Sequence, residues 1–81
     1  MPWFDFVWSD AIIDHLNQHD VTPEEFEYVV CNPVAVERSD SSGRPLVKGY
    51  TEAGRRIVCV YELEDDGITV IPVTAYEPSR E

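Results

Sequence analysis

Positive charge is what this sequence has least of. Only 6 of its 81 residues are Lys or Arg, against 16 Asp and Glu, which gives a formal net charge of −10. Such a surface repels nucleic acid over most of its area, so RNA binding is expected to be weak or absent. The same charge favours a basic protein as a partner.

Cysteines and long apolar runs are also scarce. Cys31 and Cys59 lie in apolar stretches, and both are predicted to be reduced thiols of the core. Neither cysteine has a partner at the spacing of metal ligands, so no metal or other cofactor is expected. No apolar run approaches the roughly 20 residues of a membrane span, and no signal-peptide pattern opens the sequence. We therefore expect no membrane partner and a cytoplasmic location.

The hydrophobic and aromatic residues of the chain are sufficient for the core of one folded domain. Hydrophobic residues make up 43% of the chain and aromatic residues 11%, which argues against disorder. A chain of this size buries roughly 60% of its unfolded surface, so its core is thin. We predict a single domain over residues 1–81, with residues 76–81 as a loose tail.

The N-terminal half predicts a strand and two helices. Trp3–Trp8 alternates in the manner of a strand, with Phe4, Phe6 and Trp8 on one face, which is expected to be the core face. Asp10–His19 has an apolar stripe at helical spacing, which places His19 at the buried end of the stripe. The second helix is signalled by a capping box at Thr22 and Glu25, and it is expected to stop at Asn32-Pro33.

The C-terminal half predicts antiparallel strands. Gly43–Leu63 alternates with a period of two on either side of Glu52-Ala53-Gly54, which is typical of a β-hairpin. Val34–Arg38 is a short strand before it, and Ile68–Tyr76 is the last strand. Pro72 within that strand requires an edge or a bulge. The fold predicted is α+β, with two helices on one face of a mostly antiparallel sheet and the order β-α-α-β-β-β.

The few cations of the chain are concentrated in and beside this hairpin. Arginine's fork geometry suits phosphate, so the cluster is a candidate phosphate clamp. Pairing with the surplus of acids is the alternative. Arg55 and Arg56 are expected on opposite faces of a strand, and therefore in different sites. The cluster consists of Arg38, Arg44, Lys48, Arg55 and Arg56.

Two histidines and several tyrosines are further candidates. His15 and His19 are four residues apart on one helix, a spacing that can bind zinc, but a third ligand is missing. His19 is interpreted either as a structural histidine or as a general acid or base. Tyr50 and Tyr76 are expected to pack in the sheet or, alternatively, to stack on a base.

The order and spacing of these motifs resemble the BrnT-like toxins, within the RelE/ParE superfamily of toxin–antitoxin proteins. This resemblance implies a RelE-like fold with an open sheet face. It also implies a partner that covers that face, an antitoxin of the ribbon-helix-helix type. The segments that carry it are Phe6–Asp10, Asn17–Thr22, Glu24–Phe26, Asn32-Pro33, Gly49–Val58 and Val70–Tyr76.

The resemblance also implies a metal-independent endoribonuclease, in which cations and aromatic rings position the scissile phosphate for attack by the 2′-hydroxyl. The residues it implicates in catalysis are His19, Lys48, Arg55 and Tyr76. Those it implicates in binding RNA or phosphate are Arg44, Tyr50 and Arg56.

Departures from the family pattern support a second hypothesis. Gln18 stands where the family has Lys, and Tyr76 stands where it has Arg. The alternative function is therefore a non-catalytic, acidic interaction module that binds a basic partner, and a homodimer is also left open.

Overall fold

Seven elements make up the chain in a computed structural model, which describes residues 4–38 and 43–78. Their order confirms an α+β fold, but four strands follow the helices where the order β-α-α-β-β-β has three. Trp3 of the predicted first strand and residues 79–81 of the predicted tail lie outside the described residues. The elements are β1 (Asp5–Phe6), α1 (Asp10–Asn17), α2 (Pro23–Cys31), β2 (Ala35–Arg38), β3 (Pro45–Tyr50), β4 (Arg56–Leu63) and β5 (Thr69–Tyr76).

The five strands form one mixed sheet in the order β1-β5-β4-β3-β2. The pairs β2–β3, β3–β4 and β4–β5 are antiparallel, as expected from their short connections. β1 instead pairs parallel with β5, the strand farthest from it in sequence. β1 is shorter than predicted, although the backbone N–H of Val7 still donates to the carbonyl of Val70 at 2.9 Å.

The core lies between the helices and one face of the sheet. α2 packs on β3 and β4, whereas α1 packs along β5. The aromatic face predicted for the first strand is confirmed, because Phe4, Phe6 and Trp8 pack against this core. The buried cluster consists of Leu16, Val21, Phe26, Val29, Val30, Val47, Ile57, Cys59, Tyr61, Val70 and Ala75.

Gly49 lets α2 lie close to β3. A Cβ atom there would be 3.1 Å from Cγ1 of Val29 and 3.4 Å from the carbonyl oxygen of Asn32. The side-chain position of Gly49 therefore points at α2, and those of Lys48 and Tyr50 point away from it. We call the face towards α2 the inner face and the opposite face the outer face.

The first helix ends earlier than its apolar stripe suggests. α1 stops at Asn17, and Asp20 adopts a left-handed φ of 60°. The carbonyl of Leu16 accepts hydrogen bonds from the N–H groups of His19 and Val21 at 2.9 and 3.0 Å. Because the chain leaves the helix at this turn, helical spacing no longer applies. His19 is exposed, and its predicted position at the buried end of the stripe is wrong.

The second helix follows the sequence closely. Thr22 is the N-cap, and both hydrogen bonds of the capping box with Glu25 are present, at 3.0 and 3.1 Å. Val21 and Phe26 flank this cap and are fully buried, as in a hydrophobic staple. Cys31 is the last residue of the helix and is exposed, so the prediction that it belongs to the core is wrong. Cys59 is buried as predicted.

A bulge accommodates Pro72. Val60 pairs with Thr74 and Tyr61 pairs with Pro72, so Val73 is an extra residue on β5. This confirms the bulge that a proline within a paired strand requires. Tyr76 is the last residue of β5 rather than the start of a loose tail.

Replacing Thr22 by alanine should lower the free energy of unfolding by about 1 kcal/mol, because the N–H of Glu25 loses its acceptor. Urea denaturation followed by circular dichroism measures this change. Thr22→Ser keeps the hydroxyl and should remain close to wild type. Equal denaturation midpoints for Thr22→Ala and wild type would contradict the capping role.

Candidate functional site

Four of the predicted site residues share the outer face. Lys48 pairs with Val58 across β3 and β4, and Val58 pairs with Tyr76 across β4 and β5. Tyr50 pairs with Arg56 in the neighbouring row. Cross-strand partners and alternate residues lie on the same side of a sheet, so strand register collects these side chains on one surface.

A histidine that the sequence did not assign to this surface lies at its border. Thr74 pairs with Val60, which places it on the outer face, and its Oγ1 is 2.8 Å from Nε2 of His15. The ring of His15 also packs edge-on against that of His19, with centroids 5.1 Å apart. α1 therefore contributes Leu16 to the core, and its His15 reaches Thr74 at the border of the outer face.

Carboxylates neutralise two of the cations on this side. Nζ of Lys48 is 3.3 Å from Oε2 of Glu37, and Nε of Arg44 is 2.8 Å from Oε2 of Glu62. These side chains are 40–53% exposed, so each pair adds little stability. Each pair nevertheless cancels the positive potential that a phosphate would need.

Arg55 lies on the opposite side from Lys48 and holds the hairpin to the helices. Its Nη1 is 3.4 Å from Oε1 of Glu25, and its Nε is 3.7 Å from Oε2 of Glu77. Its Nη2 donates to the carbonyl of His19 at 3.3 Å. With its side chain 25% exposed, Arg55 joins the hairpin to the start of α2 and to the chain between the helices.

Arg56 differs from the other cations of the hairpin. Within residues 4–38 and 43–78, no carboxylate lies within ion-pair distance of its guanidinium. It lines a recess of about 250 Å³ together with Gly54, Arg55, Glu77 and Pro78. Arg55 points towards the helices and Arg56 lies on the outer face, as strand alternation predicts, so the two arginines reach this recess from opposite sides. Glu77 lowers the positive potential of this recess.

Among the described residues we considered the two thiols as nucleophiles and the His, Cys, Asp and Glu side chains as metal ligands. Burial raises the pKa of the Cys59 thiol to about 12. The pKa of Cys31 is also raised, first by partial burial and then by the charge of Glu27. Neither thiol is therefore a thiolate at neutral pH. Across residues 4–38 and 43–78, no three His, Cys, Asp or Glu side chains converge as metal ligands would.

The fold and this site define a small α+β protein whose sheet is covered by α2 on its inner face. Residues 8–77 match the family described as a domain of unknown function, DUF4258, and the chain belongs to that family. No curated protein and no solved structure matches the chain. In the described residues neither helix has the length and apolar character needed to cross a bilayer.

Sequence reasoning missed Glu37, His15 and Thr74 as parts of this surface. His15 and Thr74 are 59 positions apart, and the face that Thr74 occupies depends on the bulge beside Pro72. No local pattern encodes that register. Glu37 could have been predicted as a partner of Lys48. Acidic residues outnumber basic ones in this chain, and Glu37 lies in the strand that precedes the strand of Lys48.

Replacing Arg55 by glutamine should lower the free energy of unfolding by about 1–2 kcal/mol, because Glu25, Glu77 and the carbonyl of His19 lose their shared donor. Arg56→Gln removes the same charge one residue later and should stay within about 0.5 kcal/mol of wild type. Urea denaturation of both variants makes the comparison. Equal losses in the two variants would contradict the joining role of Arg55.

Thiol reactivity should separate the two cysteines. In the native protein only Cys31 is exposed, so one thiol per chain should react with a disulfide reagent, and slowly because its pKa is raised. Cys59 should react only after unfolding in denaturant. Counting released thiolate by absorbance, with Cys31→Ser as the control, tests this assignment. Two thiols that react at equal rates in the folded protein would contradict it.

Proposed function

We propose that this protein is a non-catalytic interaction module that binds a basic partner protein. The observation that carries this proposal is the internal neutralisation of three of the four cations expected to hold phosphate. Glu37 pairs with Lys48, Glu62 with Arg44, and both Glu25 and Glu77 with Arg55. An RNA backbone would have to displace these carboxylates, and each displaced carboxylate would add repulsion.

The surplus of negative charge supports a basic partner. The chain carries ten more acidic than basic residues, so most carboxylates lack a cation of their own chain. A potential of one sign steers an oppositely charged partner and repels a like-charged one. The same field disfavours association of two copies of this chain.

A RelE-like arrangement is consistent with this role. The resemblance to BrnT-like toxins implies a sheet face that an antitoxin of the ribbon-helix-helix type covers. Here α2 covers the inner face, while the outer face presents Tyr50 and Tyr76, which are 48% and 38% exposed. Tyrosines are common anchors in protein interfaces, because they bury a large ring and keep one polar group.

Isolation of the tagged protein from its own cells tests this function. We expect a basic protein to co-purify, and its retention should decrease as salt is raised, since exposed charges are screened. Purified protein should leave a labelled RNA and ribosome-bound messenger RNA intact, and its expression should not slow growth. Cleavage of either RNA above the level of a mock preparation would overturn the non-catalytic proposal.

A second candidate, a metal-independent endoribonuclease, is favoured by one specific observation. Lys48, Arg56 and Tyr76 share the outer face, and His15 lies at its border next to Thr74. This set combines cations, a phenol and an imidazole, the groups that position phosphate and transfer protons. In this function His15 takes the role that the resemblance gave to His19.

Growth and RNA cleavage on expression distinguish this candidate. If the endoribonuclease is correct, wild type arrests growth, and Lys48→Ala/Arg56→Ala lowers cleavage roughly 100-fold by removing charge from the transition state. Arg38→Ala is the matched control, because it removes a cation from β2, where its partner Pro45 lies on the inner face. Equal loss of activity in the control would contradict the assignment to the outer face.

A further inference from the structure

Among the described strands β2 ends the sheet, and none of them lies beside one of its backbone edges. In the described part of the chain, Ala35–Arg38 pairs with β3 alone, and β2 stands last in the strand order. The unpaired N–H and C=O groups of such an edge can accept a further strand from another chain.

Apolar side chains are exposed along this edge on the inner face. Val36 pairs with Val47, a core residue, so both point to the inner side. Val36 is nevertheless 64% exposed, and Val34 two residues earlier is 69% exposed. A groove of about 400 Å³ continues from Val36 past Pro45 and Tyr61 to Leu63, which is 43% exposed, and Glu37 and Arg38 also line it.

The outer side of the same edge carries one carboxylate. Glu37 pairs with Leu46 across β2 and β3, which places its carboxylate on the outer face. Its side chain remains 53% exposed while it pairs with Lys48 at 3.3 Å, so it can accept a second cation. The edge therefore offers exposed valines followed by Arg38 on the inner side and a carboxylate on the outer side.

We propose that β2 is extended by a strand of the basic partner, in which apolar and basic side chains alternate. The apolar residues of that strand enter the groove beside Val36, and its Lys or Arg residues meet Glu37. Side chains alternate between the two faces of a strand. A single register therefore places the apolar residues of the partner in the groove and its basic residues near Glu37. This inference rests on the proposed interaction function and adds the docking surface and the partner's pattern.

Charge complementarity selects this occupant over a second copy of the chain. Two copies would bring together surfaces of net charge −10 each. Their β2 strands, Ala-Val-Glu-Arg, carry one basic and one acidic residue and cannot supply the alternation of apolar and basic side chains. A basic strand lowers the net charge of the complex, whereas a second copy doubles it.

Two synthetic peptides and two matched variants test the docking surface. The first peptide alternates valine and lysine over eight residues, and the second has the same composition with the lysines in one block. We expect the alternating peptide to bind at least roughly tenfold more tightly by calorimetry, and to shift amide resonances of β2. Val36→Lys should weaken its binding roughly tenfold. Val7→Lys adds the same charge at a 50% exposed valine outside the groove and should leave binding unchanged.

The remaining outcomes overturn the docking surface in distinguishable ways. If both peptides bind equally, with a strong salt dependence and no effect of Val36→Lys, a basic partner binds elsewhere and the interaction function stands. If neither peptide binds at low salt, the interaction function fails as well. If the protein dimerises without peptide and Val36→Lys abolishes the dimer, a second copy occupies the edge and the proposal is wrong.

Discussion

The close packing of α2 on β3 determines which side chains the sheet presents to solvent. Gly49 permits this contact, because any side chain there would meet Val29 at 3.1 Å. With α2 seated on that side, the strand period directs Val47 into the core and Lys48 and Tyr50 away from it. The division into a covered inner face and an exposed outer face follows from the contact between α2 and Gly49.

The sequence predicts the elements well wherever the signals are local. The capping box at Thr22 and the turn at Gly54, with its φ of 83°, depend on residues at most three or four positions apart. The alternation of side chains likewise indicates the hairpin strands. Pro72 predicts an edge or a bulge, and the bulge is present. In each case the physical cause lies within the segment itself.

Site residues are less predictable, because their partners are distant in sequence. Arg55 contacts Glu25 and His19, which lie 30 and 36 positions earlier, and so becomes part of the framework. His19 leaves the helical stripe because Asp20 turns the chain with a left-handed φ. A surplus of acids predicts that cations will be paired, but only the register of β2 and β3 shows that Lys48 pairs with Glu37.

The place of β5 in the sheet has a consequence for biosynthesis. It contributes Val70 and Ala75 to the core and lies between β1 and β4, although it is the last of the seven described elements in sequence. The aromatic side chains of the first residues pack against a cluster that is incomplete until β5 emerges from the ribosome. The nascent chain therefore exposes Phe6 and Trp8 until β5 has been synthesised, and folding of this domain is completed only then.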